Sequence, residues 1–200
     1  AWRDGFQHNS FNDMGDLSSH YRFLTRLVDS GLKRLAVMGT MHEVGYWEGM
    51  IDENTPCNPI SMYGIAKDAL RRSMIIFCEQ KQCKLQWLRG YYILGDDLKN
   101  HSIFTKLLQA GAEGKTKYDF ITVDELADQI AHAVAQNEVC GIINCCSGKP
   151  VTLAERVELF IEEHNLDIKL DYGAFPDRPY DSPVIYGDAS KIQQIMNHSK

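Results

Sequence analysis

The stretch Arg34-Leu-Ala-Val-Met-Gly-Thr-Met-His-Glu43, followed by Pro59-Ile-Ser-Met-Tyr-Gly-Ile-Ala-Lys67, decides how this chain folds. Residues 34–39 form a short, mostly apolar run ending in glycine, which predicts a buried strand. Residues 61–80 carry Tyr63, Ala66, Leu70, Met74 and Phe77 on one stripe, which predicts a long helix. The strand delivers Thr40 at its carboxyl end, the edge where open α/β sheets bind their ligands. Residues four apart on a helix share a face, so Lys67 stands beside Tyr63. A phenol with a pKa of about 10 is a poor proton donor or acceptor at neutral pH. A neighbouring ammonium favours the phenolate, so Lys67 is expected to lower the Tyr63 pKa and make it a usable general acid or base. A Tyr-x-x-x-Lys pair alone is also found on ordinary surface helices; its context gives it chemical meaning.

Outward from this centre, helices and strands alternate. A helix is expected over 17–30, stopped by Gly31, and strands over 85–88, 118–123, 141–145 and 168–171. Asp124 is expected to cap a helix over 125–135. Thr152 should cap another to 163, with Glu155 at the capping-box position. A last helix is expected over 189–197. Residues 111–117 and 172–183 read as loops, and the length of the second suggests a functional one. Such alternation predicts an α/β fold whose sheet is mostly parallel in its first half.

Composition narrows the function classes. Twenty-one basic against 27 acidic residues give a formal charge of -6, with no basic stripe, so no nucleic-acid partner is expected. No apolar run approaches the ~18 residues of a membrane span, so no membrane partner is expected either. The start Ala1-Trp2-Arg3-Asp4 is not a signal peptide and lacks an initiator Met, which suggests a processed chain or a fragment. Six cysteines (Cys57, Cys78, Cys83, Cys140, Cys145 and Cys146) form no C-x-x-C pair and are expected to be free thiols of a cytoplasmic protein, with no metal site.

Thr40, Tyr63 and Lys67, with Gly45 behind the strand, resemble the catalytic triad segment of extended short-chain dehydrogenases/reductases, the NAD-dependent epimerase/dehydratase family. Three later segments carry the same resemblance: Tyr118-Asp-Phe-Ile-Thr-Val-Asp-Glu125, Asn144-Cys-Cys-Ser-Gly-Lys-Pro-Val-Thr-Leu153, and Arg178-Pro-Tyr-Asp181 with Asp188-Ala-Ser-Lys191. The resemblance implies an incomplete Rossmann-like, doubly wound, mostly parallel sheet with a smaller C-terminal substrate-binding lobe. Residues 1–95 would be the remainder of the NAD(P)-binding domain. Residues 96–200 would be mainly the substrate lobe, with some elements returning to the first domain. It implies NAD or NADP as cofactor, a nucleotide-sugar substrate, and a homodimer packed through the helices of residues 17–28 and of Tyr63. Thr40 would polarise the reacting oxygen. Tyr63, Lys67 and Tyr91 would hold the cofactor. Thr40, Tyr92 and Arg178 would hold the substrate, Arg178 gripping its diphosphate with a guanidinium fork; a surface pairing with Asp177 or Asp181 is the other reading of that arginine.

The departures are informative. The family's glycine-rich G-x-x-G-x-x-G start is absent, and roughly 60–80 residues of βαβ units would precede Ala1. Asp16, Tyr92 and Tyr118 stand where the family carries Asn, Asn and Arg, while Arg89 is kept. Met41-His42 replaces the Asp-Glu acid/base pair of 4,6-dehydratases, which disfavours water elimination. His42 sits at the offset of an epimerising acid/base in GDP-fucose synthase-like members and could shuttle a proton; packing against Glu43 or Glu48 is its structural alternative. The best match is to nucleotide-sugar 4-ketoreductases, which move hydride at C4. A nucleotide-sugar 4-epimerase, and a non-catalytic binding protein on the same fold, are the alternatives.

Overall fold

The computed structural model describes residues 2–4, 7–95, 117–163, 165, 167 and 182–198. Helix α1 (Asn12–Asp29) is followed by β1 (Arg34–Thr40), a 3-10 turn (Met41–Glu43) and β2 (Gly49–Ile51). Helix α2 (Met62–Gln80), β3 (Lys84–Gly90) and β4 (Tyr92–Leu94) complete the first half. The second half holds β5 (Lys117–Tyr118), β6 (Phe120–Thr122), α3 (Val123–Ala135), β7 (Gly141–Cys145), β8 (Val151–Thr152), α4 (Leu153–Glu163), β9 (Val184–Gly187) and α5 (Ser190–His198).

The central sheet runs β1-β3-β7, all parallel, with Thr40 beside Gly90 and Gly90 beside Cys145. Side chains alternate across a strand, and β3 shows what that does here. Leu85 and Trp87 pack with Leu35, Leu70, Met74 and Val28, the face that α1 and α2 cover. Leu88 packs with Ile143, Leu126, Ala133 and Ile192, the face that α3 and α5 cover. Gln86, pointing the same way as Leu88, spends its amide on the carbonyls of Ala133 (2.7 Å) and Val139 (3.0 Å). Helices on both faces of a parallel sheet make this a doubly wound α/β fold. Among the described residues no helix is long and apolar enough to cross a membrane.

A second sheet of four shorter strands runs β2-β9-β5-β8, parallel except where β5 meets β8, and β4 pairs in parallel with β6. Here the structure departs from the sequence reading. The single strand expected over 118–123 is two strands broken at Asp119, whose fully buried carboxylate accepts from the backbone N–H groups of Ser147 (2.8 Å), Gly148 (3.0 Å) and Gly187 (3.0 Å). Those three bonds redirect the chain from one sheet to the other. Thr122, not Asp124, caps α3 in a capping box with Glu125. Helix α1 starts five residues before the expected 17, where Arg3 binds the Asp16 carboxylate at 2.7 Å. The short strands β2, β4 and β9 have too few residues to show a periodicity. The strand expected over 168–171 lies outside the described residues.

Candidate active site

Thr40 ends β1 and caps the 3-10 turn, accepting from the His42 N–H at 3.4 Å. Tyr63 opens α2 behind the N-cap Ser61, whose hydroxyl accepts from the Gly64 N–H at 3.1 Å. The two elements approach closely because residue 64 is glycine: a Cβ there would lie 2.4 Å from the His42 carbonyl oxygen. The Tyr63 phenol lies close enough to the Thr40 side chain for that hydroxyl to favour the phenolate. One turn on, Lys67 donates from Nζ to the Met38 carbonyl at 2.9 Å, with its ammonium 4.9 Å from the Trp2 ring centre. Thr40, Tyr63, Lys67 and His42 are therefore brought together at the carboxyl end of β1.

Electrostatics correct the sequence reading of the phenol. Lys67 was expected to lower the Tyr63 pKa; it is instead raised, first by burial, then by the negative charges of Glu43 and Asp13, with the Thr40 hydroxyl opposing. Lys67 is itself buried and its pKa is pushed down to about 8 by desolvation, with Glu43 opposing. The ammonium points at a backbone carbonyl and lies 5.8 Å from the Tyr63 ring centre. Tyr63 is thus held protonated at neutral pH.

The N-terminal segment closes over this cluster, which sequence reasoning missed. The His8 carbonyl accepts the Tyr63 N–H at 3.0 Å, and the His8 ring stacks on the Tyr63 ring with centres 5.4 Å apart. Trp2 meets Tyr63 edge-on at 5.6 Å and stacks on His20 at 5.2 Å. Aromatic residues in an irregular stretch carry no period, so no sequence signal marks them. His42 turns to His8 (4.5 Å) and Tyr63 (6.2 Å), while Glu43 faces inward and Glu48 bonds the Tyr46 hydroxyl.

Burial and His8 push the His42 pKa down to about 4, so the ring is neutral at pH 7. Its folded pKa lies below its unfolded one. The unfolded chain therefore gains a proton first on acidification, and stability is lost as pH falls from about 6.5 toward 4. Between pH 7 and pH 5 this one ring should cost about 1–2 kcal/mol. Denaturant midpoints of wild type and His42→Gln at both pH values check it; an identical acid dependence would rule it out.

The remaining expected site residues go elsewhere or lie outside view. Tyr91 follows β3 directly, but its side chain is buried against Gly187 and Cys146 in the core beneath the second sheet. Tyr92 packs on Tyr118 (4.5 Å) and Phe120 (5.8 Å). Arg178 is outside the described residues. All six cysteines are free, and among the described residues no group of three His, Cys, Asp or Glu could hold a metal.

A doubly wound parallel sheet with Thr, Tyr and Lys gathered at one strand's carboxyl end has the architecture of short-chain dehydrogenases/reductases. The chain belongs to the NAD dependent epimerase/dehydratase family, whose sequence profile matches residues 14–146. It is 48% identical over 197 residues to the dTDP-6-deoxy-L-talose 4-dehydrogenase (NAD(+)) of Aggregatibacter actinomycetemcomitans, covering 94% of this chain and 73% of that one. Its fold is similar to that of the UDP-N-acetylglucosamine 4-epimerase from Methanobrevibacter ruminantium M1 in complex with UDP-N-acetylmuramic acid (TM-score 0.80, 19% identity), over 92% of this chain and 63% of that one. It is also similar to the UDP-glucuronic acid 4-epimerase from Bacillus cereus in complex with UDP-glucuronic acid and NAD (TM-score 0.78, 15% identity), over 98% of this chain and 64% of that one. The chain thus spans just under two thirds of these solved structures.

Proposed function

We propose that this chain is the catalytic part of an NAD(P)-dependent oxidoreductase that transfers hydride at C4 of a nucleotide-activated deoxy sugar. The observation that carries the reading is the cluster of Thr40, a protonated Tyr63 and a buried Lys67 in a chain 48% identical to a 4-dehydrogenase of a dTDP-sugar. In the reductive direction Tyr63 gives its proton to the C4 oxygen, and Thr40 donates a hydrogen bond to that oxygen and aligns it. Met41 is buried in the core and His42 is neutral, so the two positions after Thr40 offer no carboxylic acid for eliminating water.

The residues present fit a nicotinamide dinucleotide. The Lys67 ammonium has three donors, and among the described residues its one hydrogen bond is to Met38, which leaves donors for ribose hydroxyls beside Tyr63. When bound, the nicotinamide supplies or accepts the hydride; the protein's own part is to hold the sugar oxygen and deliver the proton. The second sheet and the segment with Arg178 would hold the nucleotide sugar. A homodimer through α1 and α2 is supported by the exposed Phe23, Ile65 and Ile76 on those helices.

The test is oxidation of NADH and of NADPH by the full-length protein, followed at 340 nm, against a panel of nucleotide-linked 4-keto-6-deoxy sugars. Stoichiometric cofactor consumption with a 4-hydroxy product supports the reading. A 4-epimerase, the activity named for both solved relatives above, would instead convert a 4-hydroxy sugar to its epimer with no net cofactor change.

A further inference from the structure

Glu43 is completely buried, and a buried carboxylate is stable only when charge and hydrogen bonds answer it. Its oxygens accept from the Thr40 N–H at 2.8 Å and from the Trp87 indole N–H at 2.9 and 3.0 Å. Two buried guanidiniums complete the shell: Arg71 Nε at 3.3 Å and Arg89 Nη2 at 3.7 Å. Thr40 and Trp87 donate hydrogen bonds while the two guanidiniums act through their charge, and both kinds of neighbour favour the ionised carboxylate over the protonated one. Burial pushes the carboxyl up, and Arg89, Thr40, Trp87 and Arg71 oppose it.

The partners lie on the elements that carry the proposed chemistry. Thr40 ends β1. Arg71 follows Lys67 by four residues, as Lys67 follows Tyr63, so all three share one stripe of α2. Arg71 is held in turn by Asp68 at 2.5 Å, and Arg89 donates to the Asp52 carbonyl at 3.2 Å. The chain also makes room for the clamp: a Cβ at residue 39 would lie 2.1 Å from Trp87 Nε1 and 2.7 Å from Glu43 Oε1, so β1 can pass here only as glycine.

We infer that Glu43 is a positioning residue of the active site, its carboxylate clamping the Thr40 backbone to the helix stripe that bears Tyr63 and Lys67. It touches no substrate; it acts through Thr40 and Arg71. Its charge reaches the same groups, opposing proton loss from both Tyr63 and Lys67. Among the described residues, the other charged or titratable groups facing that cluster are Asp13, His8, His20 and His42, with Cys57, Asp68, Arg71, Arg89 and Tyr91 behind them.

The activity arm of the test rests on the ketoreductase reading above; a hydrogen-exchange arm does not. In the full-length protein, Glu43→Gln keeps the shape and removes the charge. Turnover should fall about tenfold to a hundredfold, the scale of a small misplacement of reacting groups. The KM values for cofactor and sugar should change little. The basic limb of the kcat profile should move to lower pH by about one unit, because a negative charge beside Tyr63 is gone. A merely structural role would reduce the active fraction and leave the limb where it was. By amide exchange, Thr40 should lose protection while Leu35–Val37 keep theirs. An unmoved limb with unchanged protection at Thr40 overturns the inference. If wild type turns over no nucleotide 4-keto-sugar, the functional proposal fails and the exchange result alone decides for Glu43. If Glu43→Gln does not fold, Arg71→Lys, which keeps the charge and shortens the fork, carries the test. Lost turnover in a fully folded sample, with lost amide protection at Thr40, supports the clamp, and wild-type turnover with unchanged protection overturns it.

Discussion

Tyr63→Phe should lower kcat for the 4-keto sugar by about a hundredfold or more, the usual contribution of a positioned general acid. Among the described residues the phenol is the acid held beside Thr40 at the carboxyl end of β1, and burial with nearby negative charge keeps it protonated through neutral pH. The substitution removes one oxygen and leaves the ring, so the stack on His8 and the edge contact with Trp2 survive. Stability should therefore change by no more than about 1 kcal/mol, one neutral polar contact, and cofactor affinity, carried mainly by the Lys67 donors, should fall far less than kcat. Single-turnover kinetics with NADH, beside a melting curve, separate the chemical loss from any loss of fold. Near-wild-type turnover in the Phe variant would remove Tyr63 from the chemistry and leave His42 as the donor to be tested.

Lys67→Met should abolish most turnover and yet make the protein more stable at neutral pH. The ammonium is buried, with its pKa down to about 8 against an ordinary 10.5. Its folded pKa is below its unfolded one, so the unfolded chain holds the proton more tightly and stability rises with pH between about 8 and 10.5. At pH 7 the fold carries the whole penalty, on the order of 3 kcal/mol. The methionine variant loses the bond to Met38, worth about 1 kcal/mol, and the cation over Trp2. A net gain of about 1–2 kcal/mol is expected at pH 7, shrinking toward zero by pH 10 as the wild-type lysine discharges. Denaturant unfolding of both proteins at the two pH values checks this. A variant less stable at pH 7 would mean that the ammonium is better paired than its surroundings indicate. A lysine kept at such a cost fits a group retained for binding and chemistry.

The amino-acid order by itself determined the central elements and the identity of the principal pair. The stripe on α2 set Tyr63 and Lys67 on one face, because four residues make about one helical turn, and the apolar run of β1 set Thr40 at a strand end. Those are local regularities, and local regularities are visible in one dimension. The redirection at Asp119 was not visible, since it is made by N–H groups 28, 29 and 68 residues away. Nor was the role of Glu43. Thr40-Met-His-Glu43 reads as a capping box, which it is, but only packing shows that Trp87, Arg71 and Arg89 converge on the same carboxylate. The sign of the Tyr63 shift was decided the same way. Sequence spacing places a cation next to the phenol, whereas the tertiary structure decides how much water both have lost and which negative charges stand behind them. Desolvation and long-range charge depend on everything packed around a group, and that is a property of the fold rather than of the spacing.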